Sequence, residues 1–152
     1  LGNRTVFASC SDPTINKWLN DRLQRTEFMP FAPIILESHA AEYFPAWRPD
    51  HVVARFMTIT YDASEIAKRN IPAAIHVDGT ARPQVLRHSD NPAVHAILTE
   101  YHALTGIAAV INTSFNMHEE PIVCSAGDAV RAFQLGRLDA LLCAGLLAVT
   151  GN

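Results

Sequence analysis

The chain has 152 residues, of which 49% are hydrophobic and 18% charged, the balance of one globular domain with a substantial core. Its net charge is −3 and it has only two lysines, Lys17 and Lys68, which disfavours a general nucleic-acid binder. No apolar run reaches the ~18 residues of a membrane span, and three cysteines without metal-site spacing indicate reduced thiols, so we expect a soluble, cytoplasmic domain.

The first half of the chain predicts two helices and two extended segments from its caps and hydrophobic periodicity. In chain order these are a helix that starts at Ser11-Asp12-Pro13 and carries Ile15, Trp18, Leu19 and Leu23 on its apolar face, an extended stretch over 30–36, a strand over 52–61, and a short helix to Lys68 capped by Asp62 or Ser64.

The second half predicts four strands and two helices, so that helices and strands interleave without a strict βαβ rhythm. The strands lie over 84–86, 107–111, 138–143 and 146–149. One helix runs from Asn91-Pro92 to Gly106, and its apolar face consists of Val94, Ile97, Leu98, Tyr101 and Leu104. The other helix is capped by Ser125 and has Asp128 in its first turn. We therefore expect an α/β domain on a mixed sheet.

The first polar cluster surrounds Arg25, which lies at the end of the first predicted helix, before a proline-stiffened segment. A guanidinium fork suits two oxygens of a phosphate or carboxylate. An arginine there could instead complete the helix C-terminus against the macrodipole.

The second polar cluster is the turn over 76–82, which carries His, Asp, Thr and Arg within seven residues. Thr80 and Arg82 have side chains that can donate hydrogen bonds to oxyanions. Asp78-Gly79 could equally form an ordinary turn in which Arg82 pairs with Asp78.

The third polar cluster, residues 112–121, directly follows the predicted strand 107–111. Ligands of α/β sheets gather beyond the carboxyl ends of strands, so Ser114 and Asn116 could donate to a triphosphate. Since neighbouring side chains of an extended chain point to opposite faces, we expect Asn116 to face the ligand and Phe115 to anchor the loop in the core. The alternative is a polar loop that satisfies its own backbone.

Seven histidines raise the question of a metal site. They show neither the HExxH motif nor another recognised ligand spacing, so we expect no metal held by the protein itself.

Four motifs together resemble the C-terminal region of the NodU/CmcH-type O-carbamoyltransferases, in the right order and over nearly the whole chain. They are LGNR at 1–4, TEFMPFAP at 26–33, HVDGTAR at 76–82 and NTSFN…EPIV at 112–123. TSFN followed by Glu120-Pro121 is also similar to the TSAN…P signature of threonylcarbamoyl-adenylate synthases. The resemblance implies a YrdC-like fold, a mixed twisted sheet with flanking helices and a concave ligand-binding face.

The resemblance also implies an activity. A YrdC-like domain of this family joins carbamoyl phosphate to ATP, which brings Mg²⁺, and forms carbamoyl adenylate. An N-terminal ASKHA-type domain of the same polypeptide then passes the carbamoyl group to a hydroxyl of a sugar or natural product, such as a nodulation factor or antibiotic. Residues 1–152 are then expected to be one domain excised from such a longer protein.

Site residues follow from the resemblance position by position. Arg25 matches the arginine of the synthases' KxR motif, Ser114 and Asn116 match SxN, and Arg82 matches the arginine of HVDGTAR. The implied catalytic residues are Arg25, Arg82, Asn116 and His118, and the implied nucleotide-binding residues are Arg25, Thr80, Ser114 and Asn116.

Two positions depart from the family pattern. Leu23 stands where KxR has its lysine, and His118 stands where many relatives have arginine. Two other functions remain open beside the carbamoyltransferase, a non-catalytic partner-binding domain and an RNA-binding YrdC-like module.

Overall fold

The computed structural model describes residues 2–24 and 31–150, in which short strands alternate with helices. The elements are β1 (Thr5–Ala8), α1 (Ile15–Arg22), β2 (Ala32–Leu36), α2 (Glu37–Tyr43), β3 (Tyr61–Asp62), α3 (Glu65–Asn70), β4 (Thr80–Ala81), β5 (Gln84–Leu86), α4 (Pro92–Thr105), β6 (Ala109–Ser114), α5 (Ala126–Leu135), β7 (Ala140–Cys143) and β8 (Leu146–Val149). Two 3-10 helices, Val52–Phe56 and Pro72–Ala74, complete the described structure.

A four-stranded sheet in the order β1-β6-β2-β5 organises these elements. Strand β6 runs antiparallel to both β1 and β2, whereas β2 and β5 are parallel. The pairs β3-β4 and β7-β8 form separate antiparallel ribbons. The sheet is therefore mixed and the fold is α/β with flanking helices, as the sequence predicts.

The two faces of the sheet bury different clusters, because successive side chains of a strand point to opposite sides. On one face Ile34, Leu86 and Val110 pack against Val94 and Leu98 of α4, and we call this side the α4 face. The other face carries the larger core, which holds Val6, Ile35, Val85 and Ile111 together with side chains of α1, α2, α3 and α5.

Three of the four predicted helix caps are confirmed, at Ser64, Asn91 and Ser125, whereas Ser11 does not cap α1. The Ser64 hydroxyl accepts from the Ala67 N–H at the start of α3, and the Asn91 side chain accepts from the Val94 N–H at the start of α4. Ser125 and Asp128 form a reciprocal capping box on α5. Each cap satisfies amide groups that the first turn of a helix leaves unpaired.

The predicted strand over 52–61 is wrong for most of its length. Residues 52–56 form a 3-10 helix that packs against β5, Met57 has a left-handed φ of 55°, and only Tyr61 and Asp62 pair as a strand, with β4. Val52 and Val53 are about half exposed. Their β-branched side chains raise strand propensity, but a strand also needs a paired neighbour and a buried face.

The start of α1 and the apolar face of α4 also differ from prediction. Helix α1 begins at Ile15 rather than at Ser11-Asp12-Pro13, because the Asp12 carboxylate accepts from both the N–H and the hydroxyl of Thr14 and forms a turn there. Ile97 and Leu104 of the predicted apolar face of α4 are 48% and 85% exposed.

Strand β6 runs over 109–114 instead of 107–111, since it pairs along β1, a strand that the sequence analysis did not predict. The strands predicted over 138–143 and 146–149 are present as a hairpin. Among the described residues, none of the helices is both long and apolar enough to span a bilayer.

Candidate functional site

Four polar side chains lie on the α4 face at the end of the sheet that α4 leaves uncovered. We call them the polar strip: Thr5, Gln84, Asn112 and Ser114. Asn112 and Ser114 follow the α4-face residue Val110 at steps of two along β6, and Thr5 is in register with Ser114. Gln84 is in register with Ile34 on β2. The strip thus draws on β1, β5 and β6.

Hydrogen bonds connect three members of the polar strip across the sheet. The Thr5 hydroxyl donates to Asn112 Oδ1 and also lies 2.7 Å from the Thr113 carbonyl oxygen. Asn112 Nδ2 donates to Gln84 Oε1 at 2.5 Å. This bond passes over β2 where the residue in register with Asn112 is Ala32, whose small side chain leaves the space.

Burial makes this connection unusual. Gln84 and Asn112 are each 4% exposed, and no other polar or charged residue among those the structure describes is classed as buried. Buried amides are retained in proteins when hydrogen bonds satisfy them. The Thr5–Asn112–Gln84 connection therefore fixes three side chains beside the segment that contains SxN.

The SxN residues hydrogen-bond each other at the end of β6. The Ser114 hydroxyl donates to Asn116 Oδ1 at 2.5 Å, and Asn116 Nδ2 donates to the carbonyls of Met117 and Glu120, both at 3.0 Å. Asn112, Thr113 and Ser114 belong to strand β6, so the predicted loop starts only at Phe115. Asn116 thus has a structural role within this loop, and its predicted contact with a ligand stays a prediction.

Loop 115–123 is anchored on three sides. Its ends are joined by a hydrogen bond from the Val123 N–H to the Phe115 carbonyl at 3.0 Å, and Phe115 is 6% exposed, which confirms that it anchors the loop in the core. Glu120 forms an ion pair of 2.6 Å with Arg131 of α5. These contacts hold Asn116 in a fixed position relative to the sheet.

His118 lies beside the C-terminal end of α1. Its backbone N–H donates to the Leu23 carbonyl at 3.1 Å, and its ring is about one-third exposed, with Nε2 3.9 Å from Glu119 Oε1. The Leu23 side chain is fully buried in the larger core. The position that carries the lysine in KxR is therefore a core position here. Arg25, the arginine of that motif, lies outside the described residues.

The turn over 76–80 satisfies its own polar groups. The Asp78 carboxylate accepts from the Thr80 N–H at 3.0 Å and from its hydroxyl at 2.7 Å, and the hydroxyl also lies 3.0 Å from His76 Nδ1. These two hydrogen bonds from Thr80 lower the pKa of Asp78. Gly79 supplies the φ of 83° that the turn requires.

Arg82 is the predicted site residue whose side chain is available. It is partly buried, and its guanidinium makes no hydrogen bond or ion pair with any residue in 2–24 or 31–150. The alternative pairing with Asp78 is wrong, because Thr80 occupies that carboxylate. Arg82 comes two residues before Gln84, an offset that returns a side chain to the same face of an extended segment. It therefore extends the polar strip with a positive charge.

Sequence reasoning missed two members of the polar strip, Thr5 and Gln84. Gln84 had a detectable signal, since it is a polar residue at the head of the apolar strand 84–86, two positions after a predicted site arginine. Thr5 had none, because its strand was not predicted. Within the described part of the chain, no three His, Cys, Asp or Glu side chains cluster in a way that could hold a metal ion.

Comparison with known proteins gives one family over almost the full length. The family model described as carbamoyltransferase C-terminus matches residues 1–149. An uncharacterized protein of Methanocaldococcus jannaschii is 40% identical over 144 residues, which is 93% of this chain and 27% of that protein.

Several of the relatives carry nodulation names. Nodulation protein U of Rhizobium tropici is 37% identical over 147 residues, which is 97% of this chain and 24% of that protein. Nodulation protein NolNO of Sinorhizobium fredii is 36% identical over 146 residues, which is 93% of this chain and 21% of that protein. The chain thus spans about a quarter of the length of the curated relatives it matches.

Proposed function

Because this chain belongs to the carbamoyltransferase C-terminus family, as its motifs predicted, we propose that it binds ATP and carbamoyl phosphate and forms carbamoyl adenylate for an O-carbamoyltransferase. The observation that carries the proposal is the guanidinium of Arg82, which has no partner within residues 2–24 and 31–150 and lies two residues before Gln84 of the polar strip. A partly buried arginine without a partner among the described residues is poised for an anionic ligand, and both proposed substrates are phosphates.

The chemistry requires charge neutralisation and positioning rather than a nucleophilic side chain. Carbamoyl phosphate loses phosphate to water, the resulting carbamate oxygen bonds to the α-phosphorus of ATP, and pyrophosphate leaves. Arg82 would bind one phosphate through two parallel N–H donors, and Ser114 and Asn116 would bind the others by exchanging hydrogen bonds within their loop for bonds to phosphate oxygens. Mg²⁺ would arrive with ATP and be held mainly by its phosphates and water.

Transfer to the acceptor is assigned to another part of the polypeptide. The relatives are about four times as long as the matched region, which leaves room for an N-terminal domain that binds the acceptor. We propose that this domain carries the carbamoyl group to a hydroxyl of a sugar or natural product, and that the reaction takes place in the cytoplasm, where ATP is abundant.

The test is calorimetric titration of the chain with Mg–ATP and with carbamoyl phosphate, for the wild type and for Arg82→Lys. Lysine keeps the charge but loses the fork, so affinity should fall roughly tenfold, the equivalent of ~1.5 kcal/mol for one charge-assisted contact. Arg69→Lys on the exposed side of α3 is the matched control and should bind like the wild type.

Three outcomes contradict the proposal in different ways. Unchanged affinity in Arg82→Lys with a lowered melting temperature would make Arg82 a structural residue. Failure of the wild type to bind either substrate would favour a partner-binding domain. A salt-dependent shift of labelled RNA would favour the RNA-binding module instead.

A further inference from the structure

We propose that Gln84 contacts the bound substrate through its side-chain amide, which Thr5 and Asn112 hold in place and which donates to a substrate oxygen. This inference rests on the proposed function and deepens it. It assigns a substrate contact to β5, next to Arg82, and a positioning role to Asn112 and Thr5. The sequence motifs include Asn112 but neither Thr5 nor Gln84.

The first support is the half-satisfied state of the Gln84 amide. Its oxygen accepts from Asn112 Nδ2 at 2.5 Å, whereas its NH₂ group makes no hydrogen bond with any residue that the structure describes. The side chain as a whole is 4% exposed. The buried side-chain atoms that lack a partner among the described residues are Asn16 Oδ1 and His102 Nδ1, so the Gln84 NH₂ group reaches solvent at the end of a side chain that is otherwise buried. A donor that is held in place and still reaches solvent can bind an oxygen of a ligand.

The second support is the orientation that the polar strip imposes. The Thr5 hydroxyl donates to Asn112 Oδ1, so the Asn112 NH₂ group is turned toward Gln84. Gln84 must then present its oxygen to Asn112, which directs its own NH₂ group away from the strip. A side chain fixed in this way loses little freedom when a ligand binds, and preorganised donors of this kind favour binding.

The third support is the position on the strand. Gln84 is followed by Val85 and Leu86, which are buried on opposite faces, so an apolar residue at position 84 would continue the core without an unpaired group. Arg82 lies two residues before Gln84 and also lacks a partner among the described residues. Arg82 and Gln84, two residues apart in the chain, thus offer donors to one acceptor group. A phosphate or the carbonyl oxygen of a carbamoyl group fits this pair.

The decisive variant is Gln84→Glu, because it keeps the size and the oxygen that Asn112 requires and replaces the NH₂ donors with an acceptor. Affinity should fall at least about tenfold, the usual effect of losing a hydrogen bond to a charged group. Gln134→Glu, at an exposed position of α5, makes the same change of charge and should bind like the wild type. Mg–ATP, carbamoyl phosphate and inorganic phosphate are titrated separately. The ligand whose affinity falls is the one whose oxygen accepts the hydrogen bond from Gln84.

Two further measurements keep the test independent of folding. Gln84→Met removes the donors without adding charge, and it should also weaken binding. In the wild-type chain, the side-chain amide resonances of Gln84 should shift when substrate is added, while those of Gln134 stay in place. Unchanged resonances of Gln84 at substrate saturation, or wild-type affinity in both variants, would overturn the inference and leave the proposed function intact. A wild type that binds no substrate would instead overturn the proposed function and this inference with it.

Discussion

Phe115 and Asn116 are neighbours with opposite surroundings, and their difference explains how a polar loop can be held in a fixed place. The Asn116 amide bonds to Ser114 and to two carbonyls of the same loop, while the Phe115 ring is buried in the larger core. The sequence left two alternatives for this loop, a ligand-binding surface and a self-satisfied turn. Its hydrogen bonds show the second. The first would require Ser114 or Asn116 to exchange a hydrogen bond within the loop for one to the ligand, because these bonds use all the side-chain donors of the two residues.

Phe115→Ala should destabilise the chain by ~3–5 kcal/mol, since it removes a buried ring and leaves a cavity at the base of the loop. Denaturant unfolding of the free chain measures this loss. Phe56→Ala is the control, because Phe56 is 51% exposed and its truncation should change the free energy of unfolding by about 0.5 kcal/mol or less. Equal losses in the two variants would show that Phe115 is not the anchor of the loop.

Helix α5 begins with a carboxylate whose charge is part of the cap. The backbone N–H groups of Ser125 and Cys124 donate to Asp128, and these hydrogen bonds lower its pKa. The folded state therefore binds the proton less tightly than the unfolded state. The contribution of the Asp128 carboxylate to the stability of the fold is fully present above the ordinary aspartate pKa of about 3.9. It is lost as the pH falls through the lower pKa of the folded state.

Melting temperature measured against pH tests this contribution. Asp128→Asn should be less stable than the wild type at neutral pH, and the difference should shrink at pH values below about 3.9, where the wild-type carboxyl becomes protonated. Asp139→Asn, at an exposed position before β7, is the matched control. A difference between Asp128→Asn and the wild type that stays constant with pH would rule out a charged cap.

The elements that sequence predicts well are those with local signals. Ser64, Asn91 and Ser125 each accept a hydrogen bond from an N–H three residues later, an interaction set by nearby sequence, and all three helices begin where predicted. Strands depend on partners that are distant in sequence. Residues 52–56 have strand-forming side chains but no strand to pair with, so they adopt a 3-10 helix.

The same dependence on distant partners decides what could be predicted of the candidate site. Arg82, Ser114 and Asn116 were found from motifs, which are short and local. The connection from Thr5 through Asn112 to Gln84 joins residues 107 and 28 positions apart, and it exists only because β1 and β5 flank the same central pair of strands. No pattern along the sequence predicts a hydrogen bond between residues that are so far apart in the chain.

At the scale of the whole molecule, the sheet brings residues that are far apart in the sequence together on one face. The apolar part of the α4 face packs against α4, and the uncovered end of the same face carries the polar strip. Arg82 and loop 115–123 flank this end because Arg82 precedes β5 and the loop follows β6. One sheet thus supplies both the core that holds α4 and the donors of the candidate site.

The division of labour within the polypeptide gives the last prediction. The chain spans about a quarter of its relatives' length, and the function we propose for it is to bind and activate the carbamoyl donor. It should therefore bind Mg–ATP and carbamoyl phosphate but transfer no carbamoyl group to an acceptor. Incubation with labelled carbamoyl phosphate, ATP and a panel of hydroxyl-bearing sugars, followed by mass spectrometry, measures this directly. Arg82→Lys serves as the control for binding, since it should reduce substrate affinity and leave the absence of product unchanged. A carbamoylated sugar formed by this chain alone would show that acceptor binding and transfer also take place here.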